Sequence, residues 1–132
     1  MRPVRTSSSA DILVVEDEED TRALIARLLD AAGYQVRTAE DAVVAGYKVL
    51  ERVPDLIITD IRMPYMSGVE FIAALRADTS LPTIPVIYVT ALEEGPTLAW
   101  QTLGYPLLTK PVEADELLAA VERQLRLHAA RK

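Results

Sequence analysis

Short apolar runs alternate with longer amphipathic stretches along this chain, and the alternation predicts its secondary structure. Runs of β-branched and aliphatic residues that stay apolar throughout are typical of strands buried on both faces of a parallel sheet. Five such strands are predicted, three clear ones at residues 12–15, 56–59 and 86–89 and two weaker ones at residues 35–38 and 107–109.

The stretches between the strands have the spacing of amphipathic helices. Between residues 20 and 32, leucine and isoleucine recur every three or four positions, and Gly33 follows where a helix would stop. Ser67 and Glu70 have the spacing of a capping box at the start of another helix. The predicted helices cover residues 20–32, 41–52, a segment that begins near Ser67, 96–103 and 113–128.

Strict alternation of strand and helix predicts an α/β fold with a doubly wound parallel sheet, because right-handed crossovers place helices on both faces. The length of 132 residues fits one domain. We expect residues 1–10, which mix Pro, Arg and a Ser run without periodicity, to form a disordered leader. Residues 11–128 would then be the folded domain and residues 129–132 a short tail.

Composition excludes several classes of function. A formal net charge of −6, from 20 acidic and 14 basic residues, argues against nucleic acid as the main ligand. The absence of cysteine excludes disulfides, thiolate metal sites and thiol nucleophiles. No apolar run approaches the roughly 18 residues of a membrane span, and the first ten residues lack the apolar core of a signal peptide. We therefore expect a cytoplasmic protein without a membrane partner.

Side chains that can bind ions or take part in reactions follow four of the predicted strands. Glu16 and Asp17 follow the first, Asp60 the third, Thr90 the fourth and Lys110 the fifth. Ligands of open α/β sheets bind beyond the carboxyl ends of the strands, so these residues should meet at one rim. Acids crowded there repel one another unless a cation lies among them, and Mg²⁺ fits an all-oxygen site best. Asp60 is then a candidate nucleophile, since a carboxylate can form an aspartyl-phosphate.

Five segments, in this order, resemble the receiver domain of the two-component response regulators. They span about residues 11–128 and comprise ILVVED at 12–17, DLIITDIRMP at 55–64, Ser67-Gly68, PVIYVTA at 85–91 and TKP at 109–111. The resemblance implies a flavodoxin-like, five-stranded parallel sheet with strand order 2-1-3-4-5. It also implies a phosphorylated signalling protein that catalyses only its own phosphorylation and dephosphorylation.

For the acids, the resemblance implies individual roles. Asp60 would accept a phosphoryl group from the phosphohistidine of a histidine kinase or phosphotransfer protein. Asp17 would ligate Mg²⁺, with Glu16 assisting directly or through water. Asp60 and the backbone carbonyl of Arg62 would be further ligands.

For the other matching residues, the resemblance implies contacts with the phosphoryl group. Thr90 would hydrogen-bond it, Lys110 would pair with it and the small Ala91 would leave room for it. The peptide bond between Lys110 and Pro111 would be cis. The new charge would then alter contacts with a downstream protein partner.

The chain departs from the family pattern at three places. Leu107 stands where the family usually has an aromatic residue three positions before the lysine, and Tyr105 lies two residues earlier. The stretch from residue 90 to residue 110 is about two residues short, and Gly95-Pro96 interrupts its helix. Arg62 lies two residues after the nucleophile, and we hypothesise that its guanidinium reaches the phosphoryl group or screens the attacking water.

Other interpretations remain open from sequence. The chain could be a degenerate receiver that acts as a phosphorylation-independent binding module, or an aspartate-nucleophile phosphatase, although the latter enzymes carry a second acid where Arg62 stands. A nucleotide or flavin binder is disfavoured because neither G-x-G-x-x-G nor a Walker loop is present. Leu118 and Leu127 would widen the apolar stripe of the last helix into a homodimer face. His128, near the end of that helix, is expected to have no site role.

Overall fold

The computed structural model describes residues 10–91 and 105–130, and five strands within them form one parallel sheet in the order β2-β1-β3-β4-β5. The predicted doubly wound fold and its strand order are confirmed. The strands are β1 (Asp11–Val15), β2 (Gln35–Ala39), β3 (Leu56–Asp60), β4 (Val86–Ala91) and β5 (Leu107–Lys110). The helices are α1 (Glu19–Ala31), α2 (Ala42–Glu51), α3 (Gly68–Ala77) and α4 (Ala114–Ala130).

The sheet divides the hydrophobic core into two layers. Every residue of β1 and β3 is buried, which explains why residues 12–15 and 56–58 are apolar on both faces. Successive side chains of a strand point to opposite faces. Leu13 and Val15 accordingly belong to one buried cluster, and Ile12 and Val14 belong to the other.

The helices cover these two faces in pairs. Ile25 of α1 packs in the same cluster as Leu117 of α4, whereas Val49 of α2 and Phe71 of α3 belong to the opposite cluster. Because the strands are parallel, their carboxyl ends share one rim of the sheet. None of the helices within the described ranges has both the length and the apolar character needed to cross a bilayer.

Local sequence signals set where several of the helices begin or end. The predicted capping box is confirmed: the Ser67 hydroxyl accepts from the Glu70 amide, and the Glu70 carboxylate accepts from the Ser67 amide. Asp41 caps α2 by accepting a hydrogen bond from the Val44 amide. Gly33 ends α1 with a positive φ of 96°, a conformation that glycine adopts at no steric cost.

An ionic cluster around the buried Asp11 carboxylate fixes the opposite, amino end of the sheet. Asp11 is 5% exposed and accepts hydrogen bonds from the guanidinium groups of Arg37 and Arg52, with nitrogen–oxygen distances of 2.9 Å. The Asp11 amide donates to the carboxylate of Asp55 at 2.8 Å. Each charge at this end of β1 therefore has a partner within the protein.

Several predicted bounds differ from the structure by one or two residues, and two of these differences lie at the ends of the domain. Ala10, the last residue of the predicted leader, is buried, and its carbonyl accepts from the Gln35 amide at 2.9 Å, which extends the β1–β2 pairing. The last helix continues to Ala130 rather than ending at His128, since alanine is the strongest helix former. Residues 1–9, the predicted helix at 96–103 and residues 131–132 lie outside the described residues.

Tyr88 brings a phenol into the core on β4. Its side chain is buried, and burial raises its pKa to about 12. Nearby, the guanidinium of Arg76 lies over the ring of Tyr105 at 5.0 Å and donates to the Ile84 carbonyl at 2.8 Å. The neutral phenol is the form that this environment stabilises.

We predict that Tyr88→Phe removes a pH dependence from the stability of the protein. The pKa of Tyr88 in the folded state lies above the value of about 10 for an unfolded tyrosine. The neutral Tyr88 side chain therefore contributes fully to the free energy of unfolding below about pH 10, and this contribution is lost as the pH rises to about 12. Urea unfolding should show similar stability at about pH 7 and a relative gain for the variant of about 1–1.5 kcal/mol near pH 11. Tyr47→Phe, at an exposed position, is the control. A wild type and Tyr88→Phe variant that weaken in parallel above pH 10 would contradict this prediction.

Candidate functional site

Four strands deliver the predicted site residues to the same rim. Glu16 and Asp17 directly follow β1, Asp60 ends β3, Thr90 lies in β4 and Lys110 ends β5. One carboxylate oxygen from each of Glu16, Asp17 and Asp60 lies within 4.8 Å of the others. The structure therefore brings together three acids that are up to 44 positions apart in sequence, beside the lysine.

The carboxylate of Asp60 is held on both oxygens. Its side chain is buried, its Oδ1 accepts from the Arg62 amide at 3.1 Å, and its Oδ2 accepts from Lys110 Nζ at 2.9 Å. The Thr59 hydroxyl donates to the Asp60 carbonyl at 3.0 Å, which secures the backbone at the end of the strand. These contacts fix the orientation of the carboxylate before any ligand binds.

The ammonium group of Lys110 is shared among several acids. Its Nζ lies 3.2 Å from Glu16 Oε1, 2.9 Å from Asp60 Oδ2 and 3.6 Å from Glu18 Oε1. Burial alone would lower the pKa of Lys110, but the hydrogen bond and charge of Asp60, followed by those of Glu16, raise it above its ordinary value. Lys110 is therefore charged throughout the physiological range.

Glu16 lies where one lysine does not fully stabilise its ionised form. Burial, and then the charge of Asp60, raises the pKa of Glu16 to about 8. Its Oε1 lies near Lys110 but has no hydrogen-bond partner among the described residues, and the buried Thr90 hydroxyl has none there either. Buried polar groups are normally paired, so these two oxygens point to a ligand that completes the site.

The donor set fits a small divalent cation. Carboxylate oxygens are the ligands that hard cations such as Mg²⁺ and Ca²⁺ prefer, and a dication among Glu16, Asp17 and Asp60 would relieve their mutual repulsion. Asp17 is exposed and borders an open groove of about 620 Å³, which Arg62 also lines. Retained water, which Mg²⁺ binding usually involves, would have access from this side.

The remaining predicted positions lie as follows. Ala91 is half-buried and stands opposite Lys110 in the register of β4 and β5. The Lys110–Pro111 peptide bond is cis, as the resemblance implied. His128 lies far from the rim. Together with Asp55 it lines a cavity of about 550 Å³ at the amino end of the sheet.

Leu107, at the position where an aromatic residue was expected, is half-buried against the cluster that contains Tyr88. Tyr105 packs against the same cluster and lies under the guanidinium of Arg76. The aromatic ring of Tyr105 therefore lies two residues earlier in the chain than the family pattern has its aromatic residue. Arg76 of α3 contacts this ring.

Glu18 is a neighbour of the site that the sequence did not reveal. Its side chain is largely exposed, as expected for an acid beside the first turn of a helix. Its amide nevertheless donates to Glu16 Oε2 at 3.1 Å, and its own carboxylate approaches Lys110 and accepts from the Thr21 hydroxyl. Only the turn geometry after β1 distinguishes it from Glu19, so no sequence signal was available.

Gly68 allows α3 to begin directly beside the end of β3. A Cβ atom at this position would lie 2.2 Å from the carbonyl oxygen of Asp60 and 3.1 Å from the Thr59 hydroxyl. The Gly68 amide also donates to the Ile61 carbonyl at 2.8 Å. The missing side chain thus permits the contact that supports the backbone beneath the Asp60 carboxylate.

Comparisons with known proteins agree with this geometry. The family model of the response regulator receiver domain matches residues 12–122. The phosphate regulon transcriptional regulatory protein PhoB of Pseudomonas aeruginosa is 37% identical over 117 residues, which cover 87% of this chain and 51% of PhoB. The chain thus spans about half the length of the PhoB relatives it matches.

Other similar proteins match over nearly their whole length. An uncharacterized 14.6 kDa protein of Leptolyngbya boryana is 37% identical and aligns over 91% of this chain and 93% of its own length. The solved receiver domain of NtrX from Brucella abortus superposes with a TM-score of 0.80 at 32% identity, covering 88% of this chain and 98% of that domain.

We predict that Gly68→Ala destabilises the protein, because the new methyl group cannot fit against the Asp60 carbonyl without a backbone shift. Chemical denaturation should show a loss of about 1–3 kcal/mol. Gly46→Ala, in the middle of α2, is a matched control: its Cβ would meet nothing within 4 Å, and alanine should stabilise that helix by up to about 1 kcal/mol. Equal stability of the two alanine variants would rule out the close approach of α3 to β3.

Proposed function

The chain belongs to the response regulator receiver family, and from that premise we propose that Asp60 accepts a phosphoryl group from a phosphohistidine on a histidine kinase or phosphotransfer protein. The convergence of Glu16, Asp17, Asp60 and Lys110 at one rim of the sheet is the observation that carries this proposal. Phosphoryl transfer depends mainly on positioning and on charge stabilisation, and this rim supplies both.

In the proposed reaction, a carboxylate oxygen of Asp60 attacks phosphorus. The phosphorus–nitrogen bond to the donor imidazole breaks, and its electron pair stays on the departing imidazole nitrogen. Lys110, 2.9 Å from Asp60 Oδ2, counters negative charge on the transferred group, and the Thr90 hydroxyl donates to one of its oxygens. The buried Thr90 oxygen has no partner in the described part of the chain, which supports this assignment.

The proposal includes Mg²⁺ as a cofactor held by Glu16, Asp17, Asp60 and the backbone carbonyl of Arg62. When bound, the ion supplies positive charge that offsets the phosphoryl oxygens and the clustered acids. The contacts of Asp60 with Lys110 and with the Arg62 amide orient its carboxylate independently of the ion. Both contacts come from the protein alone and do not require bound Mg²⁺.

We further propose that the phosphorylated form acts through contacts with a downstream protein in the cytoplasm. Phosphorylation adds charge beside Lys110, whose present partners are Glu16, Glu18 and Asp60, so the ion pairs of the rim must rearrange. The formal net charge of −6 disfavours direct contact with nucleic acid by this domain.

Incubation with Mg²⁺ and acetyl phosphate should produce a single phosphoryl adduct, detected by intact-protein mass spectrometry. Asp60→Asn should abolish the adduct, because it removes the nucleophilic carboxylate that Lys110 and the Arg62 amide hold in place. Asp20→Asn, which changes an exposed acid of α1, should leave labelling unchanged.

The metal requirement is tested by two further arms of that experiment. Chelation of Mg²⁺ and the variant Asp17→Asn should both suppress labelling, whereas Glu19→Gln, outside the acidic cluster, should not. Absence of an adduct with every donor would indicate a phosphorylation-independent binding module instead. Sustained phosphate release from many substrates would indicate a phosphatase.

We predict that Arg62→Ala shortens the lifetime of the phosphorylated form. The Arg62 amide donates a hydrogen bond to the Asp60 carboxylate, and its exposed side chain lines the groove beside Asp17, which supports a role for the guanidinium in screening an attacking water. The rate of dephosphorylation should rise roughly two- to tenfold, measured by loss of the adduct after removal of the donor. Arg27→Ala, on the exposed face of α1, is the control. Equal decay of the wild type and Arg62→Ala would eliminate this role.

A further inference from the structure

Helix α2 exposes an apolar stripe that nothing in the described protein covers. Val43 is 56% exposed, Tyr47 69% and Leu50 70%. These residues follow one another at spacings of four and three, so they lie on one face of the helix. The opposite face of the same helix is buried in the core through Ala42, Ala45 and Val49.

A gap lies within this stripe. Gly46 is three residues after Val43 and four before Leu50, so it lies on the same face as both. A Cβ atom at Gly46 would meet nothing within 4 Å, although glycine weakens the middle of a helix. The surface therefore places an exposed aromatic ring, Tyr47, directly beside an open slot.

This surface is complementary to itself. If two copies of α2 pack antiparallel about a two-fold axis between residues 46 and 47, Val43 of one copy faces Leu50 of the other. Tyr47 of each copy then faces the slot at Gly46 of the other. A two-fold interface requires such a pattern, because the same patch must fit itself.

The charges at the ends of α2 favour the same orientation. Glu40 and Asp41 lie at its amino end. Glu51 and Arg52 lie at its carboxyl end, where the Arg52 side chain is 62% exposed and pairs through Nε with Asp11. Antiparallel packing brings the acidic end of one copy to the arginine of the other and opposes the two helix dipoles. Parallel packing would bring like charges together.

We propose that α2 is a homodimer interface and that the occupant of its apolar stripe is a second copy of this chain. The stripe is small compared with stable interfaces, so the dimer is weak and forms at high concentration. The last helix does not offer an equivalent face. Leu118 is packed against the core, and within the described part of α4 Leu127 is the one exposed large hydrophobic residue. The stripe includes none of the acidic site residues, so dimerisation does not depend on Asp60.

Disulfide trapping tests the register, because the chain has no cysteine. In the double variant Val43→Cys/Leu50→Cys, the two cysteines of one chain are about 10.5 Å apart along the helix, too far to pair with each other. Antiparallel packing brings each beside its counterpart in the second copy, so mild oxidation should yield linked dimers. Neither single variant should be linked efficiently, and Leu127→Cys measures random collision. Equal linking of the double variant and Leu127→Cys would overturn the proposal.

Sedimentation of the unmodified chain up to about 1 mM tests dimerisation in solution. Tyr47→Ser should raise the dissociation constant about tenfold or more, and Leu127→Ser should leave it unchanged. Gly46→Gln should weaken the dimer while improving the helix, which separates interface loss from unfolding. Asp60→Asn should dimerise normally whether or not Asp60 is phosphorylated in the wild type. A wild type that stays monomeric would overturn the proposal and assign the stripe to a different protein. Dimers insensitive to Tyr47→Ser and Gly46→Gln would also overturn it.

Discussion

One ammonium group lies among several carboxylates at the rim of the sheet, and this imbalance of charge governs the rest of the site. Glu16 and Asp60 are almost fully buried, where an unpaired charge is costly. Lys110 lies between them, 2.9 Å from Asp60 Oδ2 and 3.2 Å from Glu16 Oε1. The parallel register of β3, β4 and β5 holds these groups together, so the protein cannot relieve the imbalance by moving them apart. A bound cation would relieve this imbalance, which supports the proposed role of the rim in phosphoryl transfer.

The sequence predicts the site more fully than its surroundings, and the reason is physical. Each apolar run ends where its strand leaves the core, so Asp60 and Lys110 could be placed at strand ends from local pattern alone. The order of the strands required the resemblance, since many topologies satisfy the same alternation. The contact of Glu18 with Lys110 and the approach of Gly68 to the Asp60 carbonyl depend on tertiary distances, and no local signal encodes them.

The unusual residues near β5 show how a departure from a family pattern can be accommodated. Leu107 fills a half-buried position beside the core, while the ring of Tyr105 is held under the guanidinium of Arg76. Arg76 also donates to the carbonyl of Ile84, just before β4. One side chain of α3 thus connects the beginnings of two neighbouring strands, an arrangement that aliphatic residues alone could not provide.

The ionic cluster around Asp11 lies at the end of the sheet opposite to the rim. There the carboxylate is matched by Arg37 and Arg52, and no buried oxygen of Asp11 lacks a partner. The sheet thus has one end where the charges are matched and an opposite end where they are not. Inherited variation at the matched end would alter how much folded protein a cell maintains, whereas under the proposed function variation at the rim would alter how that protein responds to a stimulus.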